Sequence, residues 1–273
     1  MSAGLSSIET AKRLAAYTAV EQHVLPNHRV IGIGSGSTVP YVVERIVQQG
    51  EEVNKNRVFI PTGFQSKNLI VAHGLVLGDI EQYPEIDVTI DGADECVIFS
   101  IFIFILILHR VDDNLNCIKG GGGCQYREKV LAEAANTFIL VADYRKKSHA
   151  LGTNWKKGIP IEVVSFGYTR VQQQLKSLGA HSSLELRMAG AAKAGPVVTD
   201  NGNFIIDAIF DAELMAKPSE LLQKLKALTG VVEVGLFCGV AKSAYYGMSY
   251  RQQDGSVSVH SADGKREEIA AHP

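Results

Sequence analysis

A chain of 273 residues with 46% hydrophobic content is long enough to bury one large core or two modest ones. Its formal net charge of -2, with the signs interspersed, leaves no basic face for a phosphate backbone; this excludes nucleic acid as the expected partner and points to a small ligand. Cys96, Cys117, Cys124 and Cys238 form no Cys-x-x-Cys pair, and no histidine cluster has zinc spacing, so reduced thiols in a cytoplasmic compartment are expected and a metal is not. Met1 to Ile8 lacks the charged start and apolar stretch of a signal peptide.

In chain order, mixed helical spacing over 9–25 predicts a first helix. Arg29 to Ile33 reads as a strand, Gly34-Ser35-Gly36-Ser37-Thr38 as a turn, and Val39, Val42, Val43, Ile46 and Val47 as the apolar face of a helix. Ser37 or Thr38 suits its N-cap, and Pro40 is tolerated in its first turn. Strands are predicted at 58–60, 88–90 and 138–142, alternating with helices near 65–73 and 127–136, which argues for a parallel sheet covered on both faces. After Pro160 the pattern becomes a helix near 168–178, a strand at 184–187, and a hairpin in which Asp200-Asn201-Gly202 joins Val197-Val198 to Phe204-Ile205-Ile206. A helix near 219–228 and a strand at 231–234 complete a small split α+β unit, and the tail, with a turn at Asp254-Gly255, returns to the main sheet. The expected organisation is a Rossmann-like domain of 1–164 plus 232–273 and a smaller, ferredoxin-like α+β domain of 165–231.

Three motifs carry chemistry. Glycines and hydroxyls at 34–38, on a strand-to-helix turn, suit a phosphate or a tight structural turn. The spacing is neither that of a dinucleotide site nor that of a nucleotide P-loop, so a simple sugar phosphate is the better-fitting ligand. Asp91-Gly92-Ala93-Asp94-Glu95 follows an apolar strand and reads either as a ligand-binding sheet edge or as a solvated turn. Lys119 precedes four glycines that lead into Arg127-Glu128-Lys129, giving a second anion-binding turn with a carboxylate close behind it. Lys146, just past the strand ending at Asp143, reads as a surface lysine or as a further positive charge.

Together with Thr199 to Phe204 and Gly230 to Phe237, these motifs give the chain a resemblance to the type A family of ribose-5-phosphate isomerases over nearly its whole length. The resemblance implies reversible conversion of D-ribose 5-phosphate to D-ribulose 5-phosphate in the non-oxidative pentose phosphate pathway, without metal or organic cofactor, by a homodimer or homotetramer. It implies Glu128 as the base that moves a proton between carbons, Lys119 with neighbouring glycine N–H groups at the oxyanion, and Asp91 and Asp94 on the hydroxyls. Ser35, Gly36, Ser37, Thr38, Gly92, Ala93, Gly120, Gly121 and Gly122, with Lys146 and Lys12, are the implied substrate-binding positions. The alternative from another class is a sugar-phosphate sensor that turns nothing over; it has no need of a base and an oxyanion cation together.

One segment departs from that pattern. Cys96 to Arg110 reads Cys-Val-Ile-Phe-Ser-Ile-Phe-Ile-Phe-Ile-Leu-Ile-Leu-His-Arg, too short for a membrane span, which needs ~20 apolar residues. When it is removed the flanks rejoin into the family pattern, which reads as a translated, unspliced short intron. Codons permit this: GAG for Glu95 followed by a Cys codon supplies a GT donor, and AGA or AGG for Arg110 supplies the AG acceptor. An uncharged β-branched and aromatic run of this kind is an aggregation hazard, and it leaves the activity of the chain in question.

Overall fold

The computed structural model describes residues 6–97, 115–182, 184–248 and 255–270. Residues 98–110 of the apolar run, and Asp254 of the predicted 254–255 turn, lie outside them. The N-terminal half alternates strand and helix as the periodicity predicts: α1 (Ser7–His23), β1 (Val30–Ile33), α2 (Val39–Gln48), α3 (Glu51–Asn54), β2 (Val58–Pro61), α4 (Phe64–Ala72) and β3 (Val88–Asp91). Next come β4 (Glu95–Val97), β5 (Cys117–Ile118), α5 (Gln125–Ala134), β6 (Phe138–Asp143) and β7 (Lys147–Ser148). The remainder is β8 (Ile159–Val163), α6 (Tyr168–Ser177), β9 (Glu185–Leu186), β10 (Phe204–Ala208), α7 (Ala212–Met215), α8 (Pro218–Lys226), β11 (Val231–Val234), β12 (Leu236–Phe237), β13 (Ser243–Gly247), β14 (Val257–Ser261) and β15 (Arg266–Ile269).

These build an α/β fold around a seven-stranded sheet of order β15-β14-β13-β6-β3-β1-β2. Strands β13, β6, β3, β1 and β2 are parallel, and the tail adds β14 and β15 antiparallel. The chain runs from β1 to β2 on one side and then crosses to β3 on the other, so the strand order reverses between β1 and β3. Open α/β sheets bind ligands beyond the carboxyl ends of their strands at such a reversal; the 34–38 turn leaves β1 there and the 91–95 motif leaves β3.

A second sheet, β11-β8-β10-β9, is antiparallel throughout, with α6 between β8 and β9 and α8 between β10 and β11. That order and connectivity are ferredoxin-like. Its first strand precedes residue 165, and its last runs past 231. The turn at 199–203 forms, with Thr199 N–H donating to Asn203 O at 2.9 Å, but Val197-Val198 is not a strand. Both edges of β10 are already occupied by β8 and β9, and the Val197 N–H instead donates to Arg187 O at 2.8 Å. A third sheet, β12-β5-β4-β7, was not expected. Cys96 and Val97, counted with the apolar insertion in the sequence, are buried in it: Cys96 pairs with Cys117 and Val97 N–H reaches Asn116 O at 3.0 Å.

Small residues let α1 lie close on the main sheet. Ala11, Ala15, Ala16 and Ala19 are fully buried, and a Cβ on Gly247 in β13 would lie 1.7 Å from Ala11 O. Neither partner is a side chain that can swing aside. Gly247→Ala is therefore expected to destabilise the fold by about 1–3 kcal/mol, the usual cost of overpacking, seen as a lower denaturant midpoint with an unchanged slope.

Candidate active site

Three parallel strands end around one cavity of about 290 Å³. From β1 come Ser35, Gly36, Ser37 and Thr38, and from the turn after β3 come Gly92, Ala93 and Asp94. The end of β6 supplies Ala142, Asp143 and Lys146, while Lys119, Gly120, Gly121, Gly122, Cys124 and Glu128 lead from β5 into α5. Phe64 and Gln65, at the start of α4, and Asp200, from the ferredoxin-like unit, complete the wall.

A buried cluster of three charges sits at its base. Lys119 is almost fully buried; its Nζ lies 2.9 Å from Asp91 Oδ2 and 3.4 Å from Glu128 Oε1, and donates to Gly92 O at 2.5 Å. Glu128 Oε1 also accepts from Ser35 Oγ at 2.5 Å, while Glu128 Oε2 has no hydrogen-bond partner among the described residues. Burial pushes the Glu128 carboxyl up to about 7, Lys119 acting against that shift and Asp91 with it. For Lys119 burial works downward, but the Asp91 and Glu128 charges outweigh it and hold the ammonium above the ordinary lysine range. The result is a permanent cation touching a carboxyl poised to gain or lose a proton near neutral pH.

Asp91, expected on substrate hydroxyls, is not among the residues that line the cavity. It is fully buried, with Oδ1 accepting from the N–H groups of Ser35 (2.9 Å) and Gly92 (2.7 Å), so it locks two loops and Lys119 together from behind. Asp94 does line the wall, and its Oδ2 accepts from Gly121 N–H at 2.7 Å. Lys12 is absent from the wall; its ammonium is held by Glu9 at 2.7 Å, and Tyr41 donates to the same carboxylate.

At the other end, Thr38 occupies the N-cap position of α2 but makes no side-chain capping bond, leaving its hydroxyl uncommitted to the helix. The N–H groups of Ser37 and Thr38 have no acceptor among the described residues, whereas Gly36 N–H donates to Gln65 Oε1 at 2.9 Å. Lys146 is set by a short 3-10 turn, 144–146, which Asp143 caps through Arg145 N–H. Arg145 holds the Asp143 carboxyl below its ordinary value against the effect of burial. Free N–H groups at a helix start, hydroxyls and a lysine make an anion site.

Several further residues support the cavity, one of them the last acid of the 91–95 motif. Glu95, fully buried, accepts from the N–H groups of Gly152 (2.6 Å), Thr153 (3.1 Å) and Asn154 (2.7 Å), fixing the turn before Trp155. The Trp155 ring lies 5.9 Å from Lys146 Nζ and fills the space a side chain on Gly121 would need. Glu162, buried in β8, gathers Thr199, Asn201 and Asn203 onto one oxygen, and the turn so held presents Asp200 to the cavity and to Phe64 N–H at 3.1 Å. Gln65 was findable, since it follows a strand–glycine–helix turn like the one at 34–38. No cluster of His, Cys, Asp and Glu among the described residues is arranged to hold a metal.

Residues 58–251 match the profile of ribose 5-phosphate isomerase A (phosphoriboisomerase A). The chain belongs to that family. It is 61% identical over 267 residues to a ribose-5-phosphate isomerase of Cryptococcus neoformans var. neoformans serotype D, covering 95% of this chain and 82% of the relative. It is 58% identical over 266 residues to that of Mycosarcoma maydis, covering 97% and 86%. Among solved structures, the chain is similar to the Plasmodium falciparum ribose 5-phosphate isomerase, with a TM-score of 0.74 at 29% identity over 97% of this chain and 100% of that one. It is also similar to a D-ribose-5-phosphate isomerase in complex with phospho-erythronic acid, with a TM-score of 0.75 at 31% identity over 97% and 99%.

In this chain the raised Glu128 value carries a stability consequence. The folded carboxyl binds its proton more tightly than the unfolded one, so its stabilising contribution is complete below about pH 4.5 and is lost as pH rises through about 7. Glu128→Gln, which mimics the protonated form, is expected to raise Tm relative to the parent at pH 8 and to change it least at pH 5.

Proposed function

We propose that this chain interconverts D-ribose 5-phosphate and D-ribulose 5-phosphate through an enediolate. The observation that carries this is the contact of Glu128 and Lys119 on the wall of one cavity, which sets a carboxyl able to act as base 3.4 Å from a permanent cation. Moving a carbonyl from C1 to C2 needs a proton taken from C2 and returned to C1, while the C2 hydroxyl proton passes to the C1 oxygen. Glu128 takes the carbon-bound proton, its carboxyl anchored through Oε1 by Ser35 and Lys119. Negative charge then gathers on the C1 and C2 oxygens, where the Lys119 ammonium and the glycine N–H groups stabilise it without having to reorganise. Asp94 holds a hydroxyl and assists ring opening, and the 35–38 turn with Lys146 holds the phosphate. A sensor has no use for the Glu128–Lys119 pair, and the relatives' shared activity gives that reading no support.

Assembly as a homodimer or homotetramer is supported by Phe166, Val164, Met188 and Val198, apolar side chains exposed on the ferredoxin-like unit. A cytoplasmic location is supported by the thiols of Cys96 and Cys117, which face each other across β4 and β5 and suit a reducing compartment. No helix among the described residues is long and apolar enough to cross a membrane.

Incubating the purified chain with ribose 5-phosphate in heavy water is expected to yield ribulose 5-phosphate carrying solvent deuterium, read by NMR. Glu128→Gln is expected to lower kcat by roughly 10²- to 10⁴-fold, the usual worth of a positioned base, with KM much less changed. Ketose formed without loss of rate in that variant would remove Glu128 from the chemistry.

The residues flanking the apolar run keep the site together: Asp94 N–H donates to Ile118 O at 2.9 Å and Lys119 N–H to Gly235 O at 2.9 Å. We propose that Cys96 to Arg110 is a retained intron product that catalysis does not need, its removal bringing Val111 into the place of Cys96 opposite Cys117. A chain lacking 96–110 is expected to give a higher soluble yield at a kcat no lower than the parent's, checked by assaying the two side by side.

A further inference from the structure

The glycine run is held from outside by a residue that no part of the reaction scheme uses. Arg187, just past β9, donates from Nη1 to Gly120 O at 2.9 Å and to Gly121 O at 3.3 Å. Its guanidinium is aimed by Asp207 of β10, which accepts from Nε at 2.8 Å and from Nη2 at 2.5 Å in a two-pronged pair. Both side chains are largely buried, 17% and 16% exposed. Such a pair is rigid in plane as well as in distance.

Peptide planarity turns that grip into a statement about the cavity. In a trans peptide the C=O and N–H point opposite ways. Where Arg187 draws the Gly120 carbonyl outward, the N–H of the same unit, on Gly121, points back to Asp94 Oδ2 at 2.7 Å. Where it draws the Gly121 carbonyl outward, the N–H of Gly122 points the other way, has no acceptor among the described residues, and belongs to a cavity-lining residue. Within the run, Gly120 and Gly123 adopt φ of 95° and 83° and the Gly123 N–H donates to Gly120 O at 3.0 Å, while Gly121 O has Arg187 as its partner.

We propose that Arg187, aimed by Asp207, is a positioning residue that presents the Gly122 N–H to the enediolate and the Gly121 N–H to Asp94. It ties the ferredoxin-like sheet to the reacting centre. The inference rests on the isomerase reading for its substrate but not for its geometry.

The test compares the parent with Arg187→Met, Arg187→Lys, Asp207→Asn and the Arg187→Met/Asp207→Asn double variant. It reads kcat and KM for ribose 5-phosphate, Tm, and the Kd of phospho-erythronic acid by titration calorimetry. That acid carries negative charge at the carbon end where the enediolate does, and its Kd reads the loop whether or not the chain turns over. Arg187→Met is expected to lower kcat by roughly 10- to 100-fold, as a displaced oxyanion donor does, with KM nearly unchanged and the acid's Kd weakened in proportion to kcat. Asp207→Asn is expected to show the same split in smaller measure, and to add nothing in the Arg187→Met background. Parent-like kcat and Kd in Arg187→Met, with only Tm lowered, would overturn the proposal. Should that variant fail to fold, parent-like values in both Arg187→Lys and Asp207→Asn do the same. A parent that binds the acid without turning over ribose 5-phosphate would count against the isomerase reading alone; one that does not bind it would overturn both.

Discussion

The structure depends on a lysine charge that cannot leave the interior. Lys119 is enclosed by protein, and an ammonium in that setting is tolerated only with opposite charge and hydrogen-bond acceptors packed around it. Its partners come from three places in the chain: Asp91 ends β3, Gly92 starts the turn after it, and Glu128 stands in the first turn of α5. The contacts need the parallel sheet, the paired strands β4 and β5, and α5 assembled together. The same requirement explains the small third sheet: two residues of β5, pinned between β4 and β12, deliver Lys119 to its place. A second carboxylate beside one ammonium leaves the cluster with excess negative charge, and burial makes that excess costly. The proton on Glu128 is how the cluster relieves it near neutral pH, and that is also the property a base for carbon acids requires.

Much of this was legible in the sequence, for physical reasons that can be named. The strands β1, β3 and β6 are buried on both faces and so read as continuous apolar runs, and the motifs that leave them could be placed at the sheet's carboxyl edge without coordinates. The ferredoxin-like unit was legible because its helices keep an apolar stripe at helical spacing and its turn carries Asn201-Gly202. What escaped were features that depend on who stands opposite. The third sheet consists of strands of two or three residues, too short for any period to show. Val197-Val198 has strand composition but finds β10 already paired on both sides. Asp91 and Asp94 are three residues apart in one acidic motif, yet one faces inward to lock loops and the other outward to the cavity; composition does not distinguish them. Arg187, Asp207 and Glu162 act across the chain on partners far from them in sequence, and nothing local marks an arginine that will hold two carbonyls rather than solvent.

The division of labour between the two larger sheets follows. The parallel sheet brings the 35–38 and 92–94 turns and Lys146 to its carboxyl edge, where Lys119, just after β5 of the third sheet, and Glu128 of α5 join them. The antiparallel sheet supplies little that touches substrate, but through Glu162 and its turn, and through Arg187, it sets the outer side of the cavity and the backbone of the glycine run. Catalytic geometry is thereby made sensitive to the packing of a unit that carries no reacting group of its own.

The chain contains one tryptophan, Trp155, whose ring centroid lies 5.9 Å from Lys146 Nζ and 5.2 Å from Lys157 Nζ and whose edge is beside Gly121 of the cavity wall. Indole emission responds to nearby charge, so the whole ultraviolet fluorescence of tryptophan in this molecule arises from one ring seated beside Lys146 and the glycine run. The protein therefore carries its own optical reporter, with no second indole to dilute the signal: ligand arrival and loop movement can be followed in real time, in unlabelled material, at the place where they occur.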